Sequence, residues 1–128
     1  MERRRLKLLL IPILLFCLNC SENNVKFDSE KWKNIDGNTF HLRIPMVNDL
    51  QENYLKEGTS YDDLITLLGH SDGSYLSYCN IKYEKYLSYT LELKLCGIGI
   101  DPCKGKNLIV VLSSDSTYVS SEIVKWRI

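Results

Sequence analysis

The sequence predicts an α+β fold: an N-terminal two-helix hairpin packed on one face of a three- or four-stranded antiparallel sheet. Three observations carry this expectation. Apolar residues recur at helical spacing in two stretches between Pro45 and Gly69. Between Leu87 and Leu95 they alternate almost strictly with polar ones, the pattern of a half-buried strand. The helical signals precede the main strand signals, which segregates the two kinds of element as in α+β proteins. A chain of 128 residues has room for one such domain, placed at 31–128.

Residues 20–30 read as a polar tether leading into it, with Phe27 and Trp32 the first large apolar residues beyond the N-terminal run. Residues 34–38 have turn chemistry. The first helix is expected near Pro45, whose missing N–H costs nothing at a first helical position. Met46, Val47, Leu50, Tyr54 and Leu55 follow the helical period, and Gly58 is placed just past its end. Ser60 followed by Asp63 resembles a capping box, with Asp62 and Asp63 well placed against the positive helix start. Leu64, Ile65, Leu67 and Leu68 form the buried face of this second helix, and Gly69 closes it.

In the first strand Leu87, Tyr89, Leu91, Leu93 and Leu95 are expected on the core face, with Ser88, Thr90, Glu92 and Lys94 in solvent. Residues 97–102 and 104–106 read as a loop, 108–112 as a second strand, 113–117 as a polar turn and 118–126 as a third strand. Residues 75–81 offer a fourth.

The N-terminus carries a targeting signal. Arg3, Arg4, Arg5 and Lys7 precede an uncharged run from Leu8 to Leu18. Those eleven residues match a signal-peptide core. They are too few for a membrane-spanning helix, which takes about 20. The run ends at Asn19-Cys20, and Ser21 to Asn24 are polar. This resembles a bacterial lipobox, which implies a diacylglyceryl group on the Cys20 thiol and cleavage of residues 1–19 by signal peptidase II. Several acyl chains on one cysteine hold far more firmly than one. The expected location is the cell envelope, with the outer membrane favoured over the inner. Residues 1–19 carry four of the 16 basic and one of the 16 acidic side chains, so the rest has 12 and 15, a formal charge of −3. A mildly acidic domain has no electrostatic reason to bind nucleic acid.

Met46 to Leu50, Tyr54 to Gly58 and Ser60 to Gly69 together resemble the helical hairpin of BamE/SmpA-like envelope lipoproteins, and the strands flanking residues 113–117 resemble that family's terminal hairpin. The resemblance spans roughly residues 44–126. It implies the fold shared with proteinaceous β-lactamase inhibitors and an envelope location. Its motifs are structural and carry over no functional residue.

Three further cysteines, Cys79, Cys96 and Cys103, lie beyond Cys20. Export permits disulfides. Cys96 and Cys103 flank the 97–102 loop and are the leading pair. Cys79–Cys96 and three thiols remain alternatives. No C-x-x-C or H-E-x-x-H pattern points to metal, and neither a metal nor a cofactor is expected. His70 with Asp72 nearby could suggest acid–base chemistry, but a histidine after a helix is accounted for by the helix dipole. The tyrosines are concentrated: Tyr75, Tyr78, Tyr83, Tyr86 and Tyr89 crowd one region, and an exposed subset would suit protein binding. Tyr75, Tyr78, Tyr83 and Tyr86 are the candidate interaction residues. The expected function is therefore non-enzymatic: a lipid-anchored interaction module whose partner is an envelope protein, with outer-membrane assembly or maintenance suggested by the resemblance. The alternative is a proteinaceous inhibitor of a periplasmic or secreted enzyme.

Overall fold

Asp28 starts the first helix: its carboxylate accepts the Lys31 N–H at 3.1 Å, satisfying one of the donors a helix start leaves open. In the computed structural model, which describes residues 24–36, 39–72, 79–97 and 102–128, helix α1 is Ser29–Lys33. The signal segment, Cys20, Tyr75, Tyr78 and the tip of the 97–102 loop lie outside the described residues. Phe27 is buried and joins the core, so packing begins within the 20–30 stretch read as tether. Trp32, on α1, is wholly buried.

A continuous helical segment follows from 40 to 54, made of a 3₁₀ stretch Phe40–Met46, an α turn Val47–Asp49 and a π turn Leu50–Tyr54. It therefore begins five residues before Pro45, which lies inside the 3₁₀ stretch. The π turn has a packing reason. Leu55 N–H reaches back to Leu50 O at 3.0 Å, and both side chains are buried, while Tyr54 is left 42% exposed. An unbroken α-helix would direct Tyr54 inward in place of Leu55.

The segment stops at Leu55, whose backbone is extended, and not at Gly58. Gly58 has φ +87° and donates its N–H to Tyr118 O, joining the connection to the sheet. Helix α2, Tyr61–Leu68, is capped by Ser60, whose hydroxyl accepts the Asp63 N–H at 3.2 Å. Leu64 and Leu68 are buried and Ile65 and Leu67 partly so. Gly69 ends the helix with φ +77°. Ser29 and Lys33 of α1 bond the Leu67 and Thr66 carbonyls of α2.

Strands β1 (Tyr86–Leu95), β2 (Pro102–Leu112) and β3 (Tyr118–Arg127) form an antiparallel sheet in the order β1-β2-β3. The fold is α+β. Leu87 faces Val110 and Tyr89 faces Leu108, and these four side chains join Trp32, Met46, Val47, Leu50, Leu64 and Leu68 in one core. Strand β2 extends six residues earlier than periodicity indicates, through the basic 104–106 stretch, because that stretch pairs on both sides with β1 and β3.

Two expectations for β1 fail. The register shifts between Thr90 and Glu92, so Leu91 sits in a bulge, and beyond it Leu93 is only half-buried and Leu95 is 63% exposed. Ser88 and Thr90, expected in solvent, are buried. The second sheet face is itself covered there. Ser88 Oγ accepts from Asn107 Nδ2, Asn107 Oδ1 accepts from Trp126 Nε1, and Ile109 and Val111 are buried beside this chain of bonds. Residues 79–81 are not a strand.

Candidate interaction surface

One buried charge organises the junction between helices and sheet. Arg43 is 5% exposed. Its guanidinium donates to Trp32 O from Nε and Nη2 (3.2 and 3.1 Å), and from Nη1 to Asp72 Oδ2 (2.9 Å) and Thr90 O (3.0 Å). It also lies 4.9 Å from the Trp32 ring centroid. Asp72 in turn accepts the Thr90 N–H, and Ser71 bonds the backbone of Ser88. Residues 71–72 thus close the outer edge of β1. Asp72 is committed to Arg43, and His70 is exposed with no bond to it, so the acid–base pairing considered from sequence does not form. Tyr89 donates to Gly69 O, and burial followed by the nearby Asp72 charge pushes its phenol well above the ordinary range.

The tyrosines do not make one patch among the described residues. Tyr83 is 37% exposed and donates to Glu122 across the second sheet face; that bond and burial raise its pKa. Tyr86 is half-buried in β1 opposite Val111, and Tyr89 is in the core. Packing of the sheet uses what periodicity left open. Cys96 and Cys103 are joined in a disulfide across the β1–β2 connection, with Cα atoms 5.6 Å apart. Cys79 is buried, which raises its thiol pKa. Among the described residues no three His, Cys, Asp or Glu side chains gather to hold a metal.

The charge distribution was not legible in the sequence. Past the bulge, register places Glu92, Lys106 and Lys125 in one cross-strand row and Lys94, Lys104 and Arg127 in the next. Lys104 and Lys106 share the parity of Leu108 and Val110, so both rows lie on the helix-bearing face, beyond the end of its apolar core. Five cations and one carboxylate line a shallow cavity of about 340 Å³ floored by Gly105. Glu92 bridges Lys94 and Lys106 at 3.4 and 3.6 Å. Lys104, Lys125 and Arg127 have no carboxylate partner among the described residues. Like charges set opposite one another destabilise a sheet, so this grouping costs the fold something. The formal charge of the whole gave no sign of it, because the cations come from three separate strands.

Strand β3 adds an open edge to this surface. The Ile128 N–H donates to Cys103 O. In an antiparallel ladder inward and outward pairs alternate. The register holds without a shift from Ser120 to Arg127, so the N–H and C=O of Ile123, Lys125 and Arg127 point away from β2. Gly58 and Thr59 occupy the start of that edge through the Tyr118 backbone, with Ser60 bridged to Thr117, and no described strand pairs with it from Ile123 to Arg127. Val119 and Ile123 are 47% and 46% exposed. A second, apolar cleft of about 530 Å³ lies elsewhere, lined by Val25, Ile35, Leu42, Pro45 and Met46 among others. Comparison with known family models, curated proteins and solved structures gives no match, so the functional reading rests on these residues themselves.

Proposed function

We propose that this chain is a lipid-anchored envelope lipoprotein that acts as a non-enzymatic protein-interaction module. The observation that carries the reading is the basic start and eleven-residue apolar run ending at Asn19-Cys20, followed directly by polar residues. Supporting it, the eleven-residue apolar run is shorter than the roughly 20 residues a membrane-spanning helix takes, so attachment would fall to the lipid on Cys20. The exposed charged face and open strand edge give the domain something to bind with. The pairing of segment 40–54 with α2 as a hairpin of the BamE/SmpA-like kind belongs to the same proposal, and with it a partner in outer-membrane assembly or maintenance.

Membrane fractionation of wild type and Cys20→Ser, with mass spectrometry of the N-terminus, tests it. Wild type is expected in the membrane fraction beginning at lipidated Cys20, and the processed variant in the soluble fraction with its domain folded. A soluble wild type, or one beginning at a residue other than lipidated Cys20, refutes the lipoprotein reading. A second reading, inhibition of a periplasmic or secreted enzyme, is favoured by one feature: the Cys96–Cys103 bridge ties the base of the 97–102 loop, as suits a loop inserted into an active site. Replacing residues 97–102 with Gly and Ser without loss of enzyme binding removes that loop from consideration.

A further inference from the structure

We infer that β3 is a docking edge for an extended acidic segment of a partner protein, which adds as a fourth strand beside it. This deepens the interaction-module reading but does not depend on the lipid anchor. Three observations converge on β3. Beyond Tyr118, whose outward groups bond Gly58 and Thr59, its outward backbone donors and acceptors include those of Ile123, Lys125 and Arg127. The side chains of the same three residues stand in one line on the helix-bearing face, since they pair with Leu108, Lys106 and Lys104. All three side chains are exposed. An added strand would place alternate side chains directly beside them. The complementary segment therefore carries an apolar residue against Ile123 and carboxylates against Lys125 and Arg127, in the alternating pattern apolar-x-acid-x-acid, or its reverse for the opposite strand direction. Lys104 lies next in the same row as Arg127 and reinforces the preference for acid.

Other occupants fit less well. In a symmetric antiparallel pairing of two copies centred on Ile123, Lys125 would face Ser121 and Arg127 would face Val119, leaving both cations unanswered. Single-stranded nucleic acid favours exposed aromatic platforms, and Trp126, the aromatic residue lining this cavity, is buried with its indole N–H committed to Asn107. An anionic bilayer answers the charge but not the outward row of backbone groups.

The test uses the full-length chain in non-ionic detergent and a seven-residue peptide, Thr-Val-Thr-Glu-Thr-Glu-Thr with blocked ends, its reverse sequence, and a version with Lys in place of both Glu. Titration is followed by amide NMR. The acidic peptides are expected to shift the β3 amides, more weakly as salt rises, and the Lys version is not. Lys125→Glu with Arg127→Glu is expected to weaken binding by about tenfold, as two attractive exposed pairs become repulsive. Ile123→Pro removes an outward N–H that β2 does not use, so it should abolish binding while the thermal transition persists. Should that variant unfold, peptides N-methylated on the paired edge take its place and are expected not to bind. Binding that survives N-methylation, or shifts confined to side chains of the cationic rows, overturns strand addition. So does failure of both acidic peptides, binding only to phosphatidylglycerol vesicles, or self-association through β3. Any of these would leave the anchor and an interaction role at another surface open to their own test.

Discussion

Replacing Arg43 by Met probes what joins the helices to the sheet. The methionine fills much of the same space but donates nothing. Its loss of the guanidinium strips Trp32 O of two donors and Thr90 O of one, and leaves the Asp72 carboxylate with only the Thr90 N–H. Each stranded buried carbonyl costs about 1 kcal/mol or more. Removing one partner of a buried ion pair costs about 3–5 kcal/mol, and Asp72, with 28% of its side chain exposed, recovers part of that through water. The expected loss is therefore about 3–4 kcal/mol, not the sum of both figures. For a domain of this size that lowers Tm by roughly 12 °C or more. The assay is urea and thermal unfolding of wild type, Arg43→Met, Asp72→Asn and the double variant. The single losses should exceed their additive share in the double variant by about 1–2 kcal/mol, since the two groups touch. Arg43→Lys should fall between, because one ammonium cannot span three acceptors set in different directions. A loss below about 1 kcal/mol for Arg43→Met, or strictly additive effects, would refute the claim that this node holds the layers together.

Three further outcomes follow from the packing. Gly105→Ala would set a Cβ 2.6 Å from Trp126 Cζ2 and against the Glu92 carbonyl, so a loss of about 1–3 kcal/mol and an altered Trp126 near-ultraviolet signal are expected in denaturant titration. Cys96→Ser with Cys103→Ser opens a bridge of sequence separation 7 and should cost about 2–3 kcal/mol by the chain-entropy account, while wild type plus reductant reproduces the variant's melting curve. Tyr89 ionises far less readily folded than unfolded, so its contribution is intact below pH of about 10 and is lost as pH rises above it; alkaline unfolding should shift to higher pH in Tyr89→Phe, read by circular dichroism against absorbance of the phenolate.

Local signals carried a good part of the fold. Ser60 and Asp63 marked the start of α2 because a cap acts within three residues, and Leu64 and Leu68 marked its buried side because helical periodicity is a property of the segment. Alternation found β1, and the apolar 108–112 run found the centre of β2. The candidate surface was far less legible. The tyrosines drew attention as a cluster in sequence, yet Tyr83 and Tyr86 stand apart in role, one exposed against Glu122 and one half-buried in β1. Lys94, Lys104, Lys106, Lys125 and Arg127 gave no local pattern, since cations that are neighbours across a sheet are distant along the chain.

By itself, then, the sequence determined the order of helices before strands and the cap and face of α2, all set by interactions within a few residues. Tertiary structure decided the rest. Leu91 becomes a bulge residue because β1 must keep register with β2 on both sides of it. Leu55 displaces Tyr54 from the interior because the core accepts one side chain there and a π turn can supply it. Arg43, which composition alone assigns to solvent, is buried because Trp32 O, Thr90 O and Asp72 converge on it from three separate parts of the chain, and only together can they replace the water it gives up.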